Sequence, residues 1–307
     1  MLYLYAPQEA DVYQALLSRA MPGREVRVWP EPVDAASVRY AVVWGPPPGF
    51  FAGMRRLEAV FVLGAGVDKL MARDDLPSSV AVVRLTDAGM AQQMLEYALY
   101  GVLHAQRRMG EYQHQQSAAQ WRPLPARLAS QTRIGVLGLG EIGGKVAMGL
   151  ATLGYRVRGW SRSGKPLEGV AACKGETGLE DLLADSDILL NILPATADTR
   201  GLLNERRLQG LPKGAFIINA GRGEQLDQNA VLGLLERGHL AGALLDVFSE
   251  EPLPVSHPLW RHPAVLVTPH IAAMTLPEEA VSQITANLAA LVRGEKPAGL
   301  VERARGY

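Results

Sequence analysis

Short apolar runs alternate with helical patterns from the start of the chain. The runs predict strands at residues 2–5, 25–29, 40–44, 60–63 and 80–85. Apolar positions three and four apart predict helices at residues 11–20 and 90–104. Because parallel strands are joined by crossover helices, this alternation predicts an α/β domain built on a parallel sheet.

A polar, glutamine-rich stretch at residues 106–131, which carries Trp121, interrupts the alternation. The stretch is too long for an ordinary connection, and such insertions are often functional or form interfaces. Beyond it, the pattern restarts and predicts a second, doubly wound domain. Its strands are expected at residues 133–137, 156–160, 188–192, 216–219, 242–247 and 265–268.

The C-terminal part of the chain predicts one more helix and a short tail. Thr275 and Glu278 have the spacing of a capping box, followed by an amphipathic pattern over residues 279–292 that Gly294 can end. The remaining residues, 296–307, are too few for a domain. We therefore expect the tail to return to the first domain, with the long helix as the crossover.

A glycine pattern marks the start of the second domain. Gly138, Gly140 and Gly143 have the G-x-G-x-x-G spacing, after a predicted strand and before a helical pattern at residues 145–153 that Gly154 can end. The first glycine permits a tight turn, the second lets the backbone approach a pyrophosphate, and the third lets the helix pack on the strand. The pattern predicts a dinucleotide site, and the alternative is an ordinary glycine-rich turn.

The residues after the next strand indicate which dinucleotide binds. An NAD site usually has a carboxylate there that binds the ribose 2′-hydroxyl. This chain instead has Ser161, Arg162 and Ser163, with Lys165 close behind. A guanidinium and two hydroxyls can bind a 2′-phosphate, so the sequence favours NADPH over NADH. The alternative is an arginine that is merely solvated in a turn.

Composition excludes several classes of protein. Lys plus Arg and Asp plus Glu both number 31, so the net charge is zero and nothing favours nucleic acid or an anionic membrane. Cys173 is the only cysteine, which suits a reducing compartment. The sequence shows neither a signal-peptide pattern nor an apolar run of membrane length, and it predicts no metal site. We expect a cytoplasmic protein.

Charged side chains follow three predicted strands of the second domain, at the edge where ligands of open α/β sheets bind. Arg222 follows one strand, Asp246 and Glu251 follow the next, and His270 follows the last. Each alone is more often a turn or solvated residue, but together beside a nicotinamide they indicate catalysis.

These side chains have the chemistry that reduction of a 2-oxo acid requires. Arg222 can bind the carboxylate and the carbonyl oxygen, and His270 can donate a proton to the developing alkoxide. Glu251 beside the histidine would favour the protonated ring and fix its orientation. Asp246, at the strand end, is better placed to contact the carboxamide of the cofactor.

The same motifs carry a family resemblance. The glycine pattern, the run at residues 219–223, the run at residues 246–252 and Pro269-His270 are similar to those of the D-isomer-specific 2-hydroxyacid dehydrogenases. Within that family, the chain resembles the glyoxylate/hydroxypyruvate reductase A type, through the runs at residues 63–68, 121–125, 160–163 and 303–307.

The resemblance implies a fold and an assembly. Two Rossmann-like or flavodoxin-like domains with doubly wound parallel sheets would hold the active site in the cleft between them. Residues 1–98 with 281–307 would bind substrate, and residues 99–280 would bind NAD(P). A dimerisation arm near residues 106–131 would join two copies into a homodimer, and Trp121 could reach the active site of the partner.

The resemblance also implies roles for single residues. The catalytic residues would be Arg222, Glu251 and His270. The substrate would contact Trp44, the backbone N–H groups of Ala65 and Gly66, Met90 near the nicotinamide, Arg222 and His270. Together with the motif, the resemblance assigns the cofactor to Gly138, Leu139, Gly140, Glu141, Ile142, Trp160, Ser161, Arg162, Ser163, Lys165, Leu193, Pro194, Thr199, Ala220, Gly221 and Asp246.

The predicted function is NADPH-dependent reduction of small 2-oxo acids, from glyoxylate to glycolate and from hydroxypyruvate to D-glycerate. Two alternatives stay open. One is an NAD-dependent D-2-hydroxyacid dehydrogenase that acts in the oxidative direction, and the other is a nucleotide-sensing binding protein of the same fold. Cofactor preference and turnover distinguish the three.

Overall fold

The computed structural model describes residues 1–303, and the chain divides into two compact units. The first unit contains residues 1–90 and the C-terminal segment from Thr275, and the second contains residues 91–274. The run at residues 304–307, which is part of the family resemblance, lies outside the described residues.

Twelve strands, nine α-helices and four short 3-10 helices make up the regular structure of residues 1–303. The strands are β1 (Leu2–Tyr5), β2 (Val26–Val28), β3 (Tyr40–Val43), β4 (Ala59–Val62), β5 (Ala81–Val83), β6 (Arg133–Leu137), β7 (Arg156–Trp160), β8 (Val170–Cys173), β9 (Ile188–Asn191), β10 (Ala215–Asn219), β11 (Leu240–Leu245) and β12 (Val265–Val267). The helices are α1 (Ala10–Ala20), α2 (Asp68–Met71), α3 (Met90–Gln106), α4 (Met109–Ser117), α5 (Glu141–Thr152), α6 (Gly175–Ala184), α7 (Glu205–Gln209), α8 (Gln228–Glu236) and α9 (Pro277–Val292). None of the described helices has the length and apolar character needed to cross a membrane.

In the first unit, five parallel strands form a sheet in the order β2-β1-β3-β4-β5. Leu2 pairs with Val26 on one side and with Tyr40 on the other, so the chain order reverses at β1. This is the flavodoxin-like order. The strands β3 and β4 are buried along their whole length, because helices cover both faces of a parallel sheet. The α/β prediction is confirmed, and each predicted strand is present with slightly different ends.

The long helix α9 begins at Pro277 and not with the expected capping box. Leu276 precedes the first turn and provides no side-chain cap, while the Thr275 hydroxyl donates to the Leu63 oxygen at 3.1 Å. Proline suits the first helical turn because its missing N–H has no partner there and its φ is already helical. The capping-box prediction is therefore wrong, whereas Gly294 does follow the helix with φ of +75°.

The tail after α9 pairs with the edge strand β5. Leu300 forms an antiparallel bridge with Val83, and the Val301 N–H donates to the Val82 oxygen at 2.9 Å. The helix α9 itself packs against α1. The C-terminal segment therefore completes the first unit.

The second unit has seven parallel strands in the order β12-β11-β10-β9-β6-β7-β8. The chain order reverses between β6 and β9, so the carboxyl ends of these strands flank the point at which dinucleotides bind in such sheets. All the predicted strands are present. The edge strand β8 was not predicted, because its four residues include two alanines, which have little preference for strands, and its order comes from pairing with β7.

Helix α3 packs mostly within the second unit. Its Met94, Ala98 and Val102 are buried in one core with residues of β6 and β9. The boundary between the two units therefore lies at the start of α3, after Met90, and the chain returns to the first unit at Thr275. The boundaries expected from the sequence, after residues 98 and 280, each lie a few residues further along the chain.

The glutamine-rich stretch of residues 106–131, called the arm below, contains the short helix α4, which the sequence pattern did not predict. Beyond α4, two of its side chains fix the course of the chain. The Tyr112 hydroxyl accepts from the Leu124 N–H at 2.9 Å, and Gln115 Oε1 accepts from the Arg122 N–H at 3.2 Å.

Candidate active site

The glycine-rich turn after β6 has the geometry of a dinucleotide site. Gly138 has φ of +101°, and a Cβ on Gly143 would lie 1.9 Å from the Gly138 oxygen, so neither position accepts a side chain. Gly140 directly precedes α5, and no described atom outside the turn and its helix lies within 4 Å of where its Cβ would be. The space above Gly140 and the N–H groups at the start of α5 therefore fit a pyrophosphate.

The turn after β7 fits a 2′-phosphate. Its shape is fixed by Ser161 Oγ, which accepts from the Gly164 N–H at 3.1 Å, and by Ser163 Oγ, which accepts from the Lys165 N–H at 3.3 Å. Arg162 is exposed in this turn, and the turn contains no carboxylate. A cationic, hydroxyl-bearing turn suits a dianion better than a neutral ribose hydroxyl.

The segment after β9 is folded around one hydroxyl. Thr199 Oγ1 donates to the Pro194 oxygen at 2.8 Å and accepts from the Thr196 N–H at 2.9 Å, while Leu193 is buried. Residues 193–199 are called the cofactor segment below, because they leave the sheet at the strand that flanks the dinucleotide switch point.

Arg222 lies in a tightly packed turn after β10. Its Nη1 donates to the Gly221 oxygen at 2.9 Å, and its side chain is partly buried. A Cβ on Gly223 would lie 1.9 Å from the Phe248 carbonyl carbon, so only glycine permits this approach. The approach holds the Arg222 turn against the loop that carries Glu251.

His270 and Glu251 come from different loops and are in direct contact. His270 Nδ1 donates to Glu251 Oε2 at 2.9 Å, and Glu251 Oε1 accepts from the Phe248 N–H at 3.0 Å. The two side chains are 46% and 27% exposed, so a small molecule can reach the pair. Because the bond occupies Nδ1, Nε2 is the ring nitrogen that can give a proton to a substrate.

Asp246 is buried and holds the backbone around His270. Its Oδ1 accepts from Thr268 Oγ1 at 2.6 Å and from the Ile271 N–H at 2.8 Å, and its Oδ2 accepts from the Ala272 N–H at 2.9 Å. His270 has φ of +58°, which a non-glycine residue keeps only with such support. These contacts use most of the acceptor capacity of the carboxylate, and its expected contact with a cofactor carboxamide stays a prediction.

Sequence reasoning missed two residues behind this loop. The hydroxyls of Tyr97, on α3, and Thr268 lie 2.6 Å apart. Burial raises the pKa of Tyr97, so its hydroxyl stays protonated and can donate to Thr268. The position of Thr268, directly before Pro269 and His270, could have indicated a role at the site. Tyr97 is 171 positions from Thr268 in the sequence, and no local pattern indicated their contact.

The first unit carries most of the residues expected to bind substrate. Trp44 directly follows β3 and is 48% exposed, and a Cβ on Gly64 would lie 2.4 Å from its ring. Ala65 and Gly66 follow β4 and are partly exposed, whereas Met90 is buried at the start of α3. Trp44 is therefore not a core residue, and the contacts of all four residues with a substrate stay predictions.

Comparison with known proteins gives the family. The NAD binding domain model of the D-isomer specific 2-hydroxyacid dehydrogenases matches residues 99–272. A glyoxylate/hydroxypyruvate reductase A from Serratia proteamaculans is 46% identical over 303 residues, which cover 97% of this chain and 96% of the relative.

Two solved structures can be aligned over 100% of this chain and 99% of the chain in each structure. A D-isomer specific 2-hydroxyacid dehydrogenase from Xanthobacter autotrophicus Py2, in complex with NADPH and MES, is 44% identical with a TM-score of 0.96. An NADPH-dependent glyoxylate/hydroxypyruvate reductase from Sinorhizobium meliloti, in complex with NADP and sulfate, is 33% identical with a TM-score of 0.93. Since the likeness in sequence extends over nearly the whole chain, this chain belongs to the D-isomer specific 2-hydroxyacid dehydrogenase family.

Proposed function

We propose that this chain is an NADPH-dependent reductase of small 2-oxo acids, which converts glyoxylate to glycolate and hydroxypyruvate to D-glycerate. The observation that carries the proposal is the 2.9 Å hydrogen bond between His270 Nδ1 and Glu251 Oε2, in the unit that also holds the glycine-rich turn. Reduction of a carbonyl requires a proton donor oriented in this way. The reductase names and the NADPH-bound structure among the relatives support the same assignment.

The side chains of the second unit have distinct tasks in this reaction. When bound, NADPH supplies the hydride for the carbonyl carbon. His270 Nε2 donates a proton to the carbonyl oxygen, while Glu251 stabilises the positive ring and keeps its orientation. Arg222 binds the substrate carboxylate and polarises the carbonyl oxygen through its planar guanidinium.

We assign the remaining substrate contacts to the first unit. The backbone N–H groups of Ala65 and Gly66 follow a parallel strand, and successive N–H groups in a turn suit a carboxylate. Trp44 offers a large apolar face of which about half is open to solvent. Met90 supplies a flexible apolar side chain.

NADPH is the preferred cofactor in this proposal, and NADH binds more weakly. Arg162 with Ser161 and Ser163 would bind the 2′-phosphate, with Lys165 as a further contact. The pyrophosphate would lie against the N–H groups of Leu139 to Ile142. The nicotinamide half of the cofactor would contact the cofactor segment and the residues Ala220, Gly221 and Asp246.

We further propose that the arm joins two copies of the chain into a homodimer. Trp121 is 99% exposed, and Leu128 and Met109 add apolar surface nearby along the arm. An exposed tryptophan is typical of protein interfaces, where aromatic side chains are enriched. The Tyr112 hydroxyl and Gln115 Oε1 accept hydrogen bonds from backbone N–H groups directly after Trp121, so less order must be gained on association.

We also propose a cytoplasmic location. Cys173 is a free, partly buried thiol and the only cysteine in the chain. Burial raises the pKa of this thiol, which suits a structural role in a reducing compartment. Cell fractionation in the native host tests this location. Recovery of the protein in the membrane fraction or the secreted fraction would contradict it.

The experiment that tests the function follows the loss of NADPH, and separately of NADH, with glyoxylate and with hydroxypyruvate over a concentration series. We expect fast oxidation of NADPH and slow oxidation of NADH. Faster use of NAD with 2-hydroxy acids would instead favour the oxidative dehydrogenase. Tight NADPH binding without turnover of either acid would favour the nucleotide-sensing protein.

A further inference from the structure

Next to the Arg222 turn, four polar side chains form a buried network, and three of them have no part in the proposed mechanism. They are 0% to 8% exposed, and they come from the end of β9, the end of β10, the cofactor segment and the turn after Arg222. The four residues are Asn191, Asn219, Thr199 and Gln225. Buried polar groups of this kind are costly unless all of them are paired.

Gln225 is the centre of the network. Its Oε1 accepts from Asn191 Nδ2 at 2.7 Å and from the Arg222 N–H at 3.0 Å. Its Nε2 donates to the Pro194 oxygen at 2.8 Å and to the Leu193 oxygen at 3.1 Å. One amide therefore holds the backbone of the Arg222 turn with its oxygen and the backbone of the cofactor segment with its nitrogen.

Asn191 and Asn219 fix which way this amide points. Asn191 Nδ2 donates to Asn219 Oδ1 at 2.8 Å as well as to Gln225 Oε1, while Asn191 Oδ1 accepts from the Leu193 N–H at 3.3 Å. With both hydrogens of Asn191 used as donors, Gln225 must present its oxygen to Asn191. Its nitrogen then has to face the carbonyl groups of the cofactor segment.

The two segments also approach each other closely. A Cβ on Gly221 would lie 2.7 Å from Gln225 Oε1 and 2.9 Å from the Leu193 oxygen, so nothing larger than glycine fits there. Just beyond the cofactor segment, the Leu203 N–H donates to the Gln225 backbone oxygen at 2.8 Å, so the chain that continues from the segment is also bonded to Gln225. A shift of one segment is therefore passed to the other through short, buried contacts.

We propose that Gln225 is a positioning residue that couples the cofactor segment to Arg222, so that the occupied cofactor segment holds the guanidinium in its substrate-binding position. The inference rests on the proposed function, which gives Arg222 the substrate carboxylate and residues 193–199 the cofactor. Gln225 touches neither ligand in this account, and it acts on the substrate only through the backbone of Arg222.

The test is a double-mutant cycle on kcat/KM for glyoxylate with saturating NADPH. Gln225→Met keeps the length of the side chain and removes its hydrogen bonds, and we expect kcat/KM to fall about tenfold to a hundredfold, as for small misplacements of a binding group. In an Arg222→Gln background, where no guanidinium is left to misplace, we expect the same change to cost less than about twofold, because coupled residues are non-additive.

Equal losses in the two backgrounds would overturn the proposal, because Gln225 would then act independently of Arg222. An Arg222→Gln enzyme with full activity would instead show that the proposed function misassigns Arg222, so the two failures are distinguishable. Gln209→Met is the matched control. Gln209 is exposed on α7, its Nε2 donates to Glu205 Oε1 at 3.2 Å, and its substitution should leave kcat/KM unchanged.

A second variant keeps the test decisive if Gln225→Met does not fold. In Gln225→Glu, a protonated carboxyl can still donate one hydrogen bond to the cofactor segment, whereas a carboxylate would repel its carbonyl groups. A buried glutamate titrates well above its ordinary range. The ratio of its kcat/KM to that of the wild type should therefore fall between about pH 6 and pH 9.5. A ratio that is flat over this range would overturn the proposal.

Discussion

Thr268 Oγ1 donates a 2.6 Å hydrogen bond to Oδ1 of Asp246, a carboxylate that is 1% exposed. Thr268 is two residues before His270, whose N–H donates to the Asp246 backbone oxygen at 2.9 Å. The loop that carries the proposed proton donor is thus fixed to a buried charge at the end of β11.

Removing the Thr268 hydroxyl should impair catalysis without abolishing cofactor binding. We expect Thr268→Val to lower kcat about tenfold, because a buried carboxylate oxygen loses one of its two donors and the His270 loop loses a contact. The dissociation constant for NADPH, measured by fluorescence titration, should change much less. Thr268→Ser keeps the hydroxyl and should restore most of kcat, and failure of this rescue would mean that the methyl group matters more than the hydrogen bond.

Replacing His270 should remove the proton donor. Asparagine is the suitable replacement because it tolerates the left-handed backbone at φ of +58° better than alanine does. We expect His270→Asn to lower kcat by about 10²–10⁴ in steady-state assays with either 2-oxo acid. His262→Asn is the matched control, since His262 Nδ1 accepts from the Ala264 N–H at 3.2 Å in another loop. An unchanged kcat in His270→Asn would refute the assignment of the acid.

Replacing Arg162 should weaken binding of one cofactor and not the other. Only NADPH has a 2′-phosphate, so Arg162→Ala should raise KM for NADPH about tenfold or more and leave KM for NADH nearly unchanged. Arg156, which is exposed at the opposite end of β7, provides the control substitution to alanine. Equal changes in both KM values would mean that Arg162 does not contact the 2′-phosphate.

Replacing Trp121 should weaken association of the proposed homodimer. An exposed tryptophan that becomes buried in an interface is commonly among its strongest contacts, so Trp121→Ala should raise the dimer dissociation constant about tenfold or more in sedimentation experiments. Val292→Ala, at an apolar position of α9 that is 63% exposed, is the control. A wild-type chain that stays monomeric at high concentration would contradict the homodimer itself.

The stability prediction concerns Asp187, which precedes β9 at its amino end. Burial by itself would raise the pKa of Asp187, but hydrogen bonds from the Arg133 side chain and N–H, together with the charge of Arg127, outweigh it and hold the pKa below its ordinary value. A carboxylate with a lowered pKa stabilises the fold above the unfolded-state pKa of about 3.9, and this contribution is lost as the pH falls through the folded-state pKa.

We therefore expect Asp187→Asn to lower the free energy of unfolding by about 2 kcal/mol at pH 7. In urea unfolding, the difference between the variant and the wild type should shrink as the pH is lowered below about 4. Asp181→Asn, at an exposed position of α6, should show neither effect. A difference that stays constant into acid would mean that the charge of Asp187 contributes nothing.

The fold was largely predictable because its signals are local. Buried strands such as β3 and β4 are continuous apolar runs, and the first glycine of the turn after β6 has a conformation that few other residues adopt. Where local signals were weak or ambiguous, the prediction failed. The four residues of β8 have little preference for strands, and the capping-box spacing at Thr275 was present although Pro277 begins the helix.

The candidate site was predictable only in its charged residues. Arg222, Glu251 and His270 follow strands and stand out by residue type. Gln225 and Asn191 do not, since they are 34 positions apart in the sequence and gain their meaning only from the contact between them. Contacts between distant polar residues depend on the tertiary structure, which no local pattern encodes.

The C-terminal segment has a consequence for synthesis of the chain on the ribosome. The strands of the first unit emerge first, yet α9, which packs against α1, and Val301, which pairs with Val82, emerge last. Every residue of the second unit is made before these partners exist. The nascent chain therefore carries an unfinished N-terminal sheet through most of translation, and a premature stop before Pro277 would leave the beginning of the protein, and not only its end, without its packing.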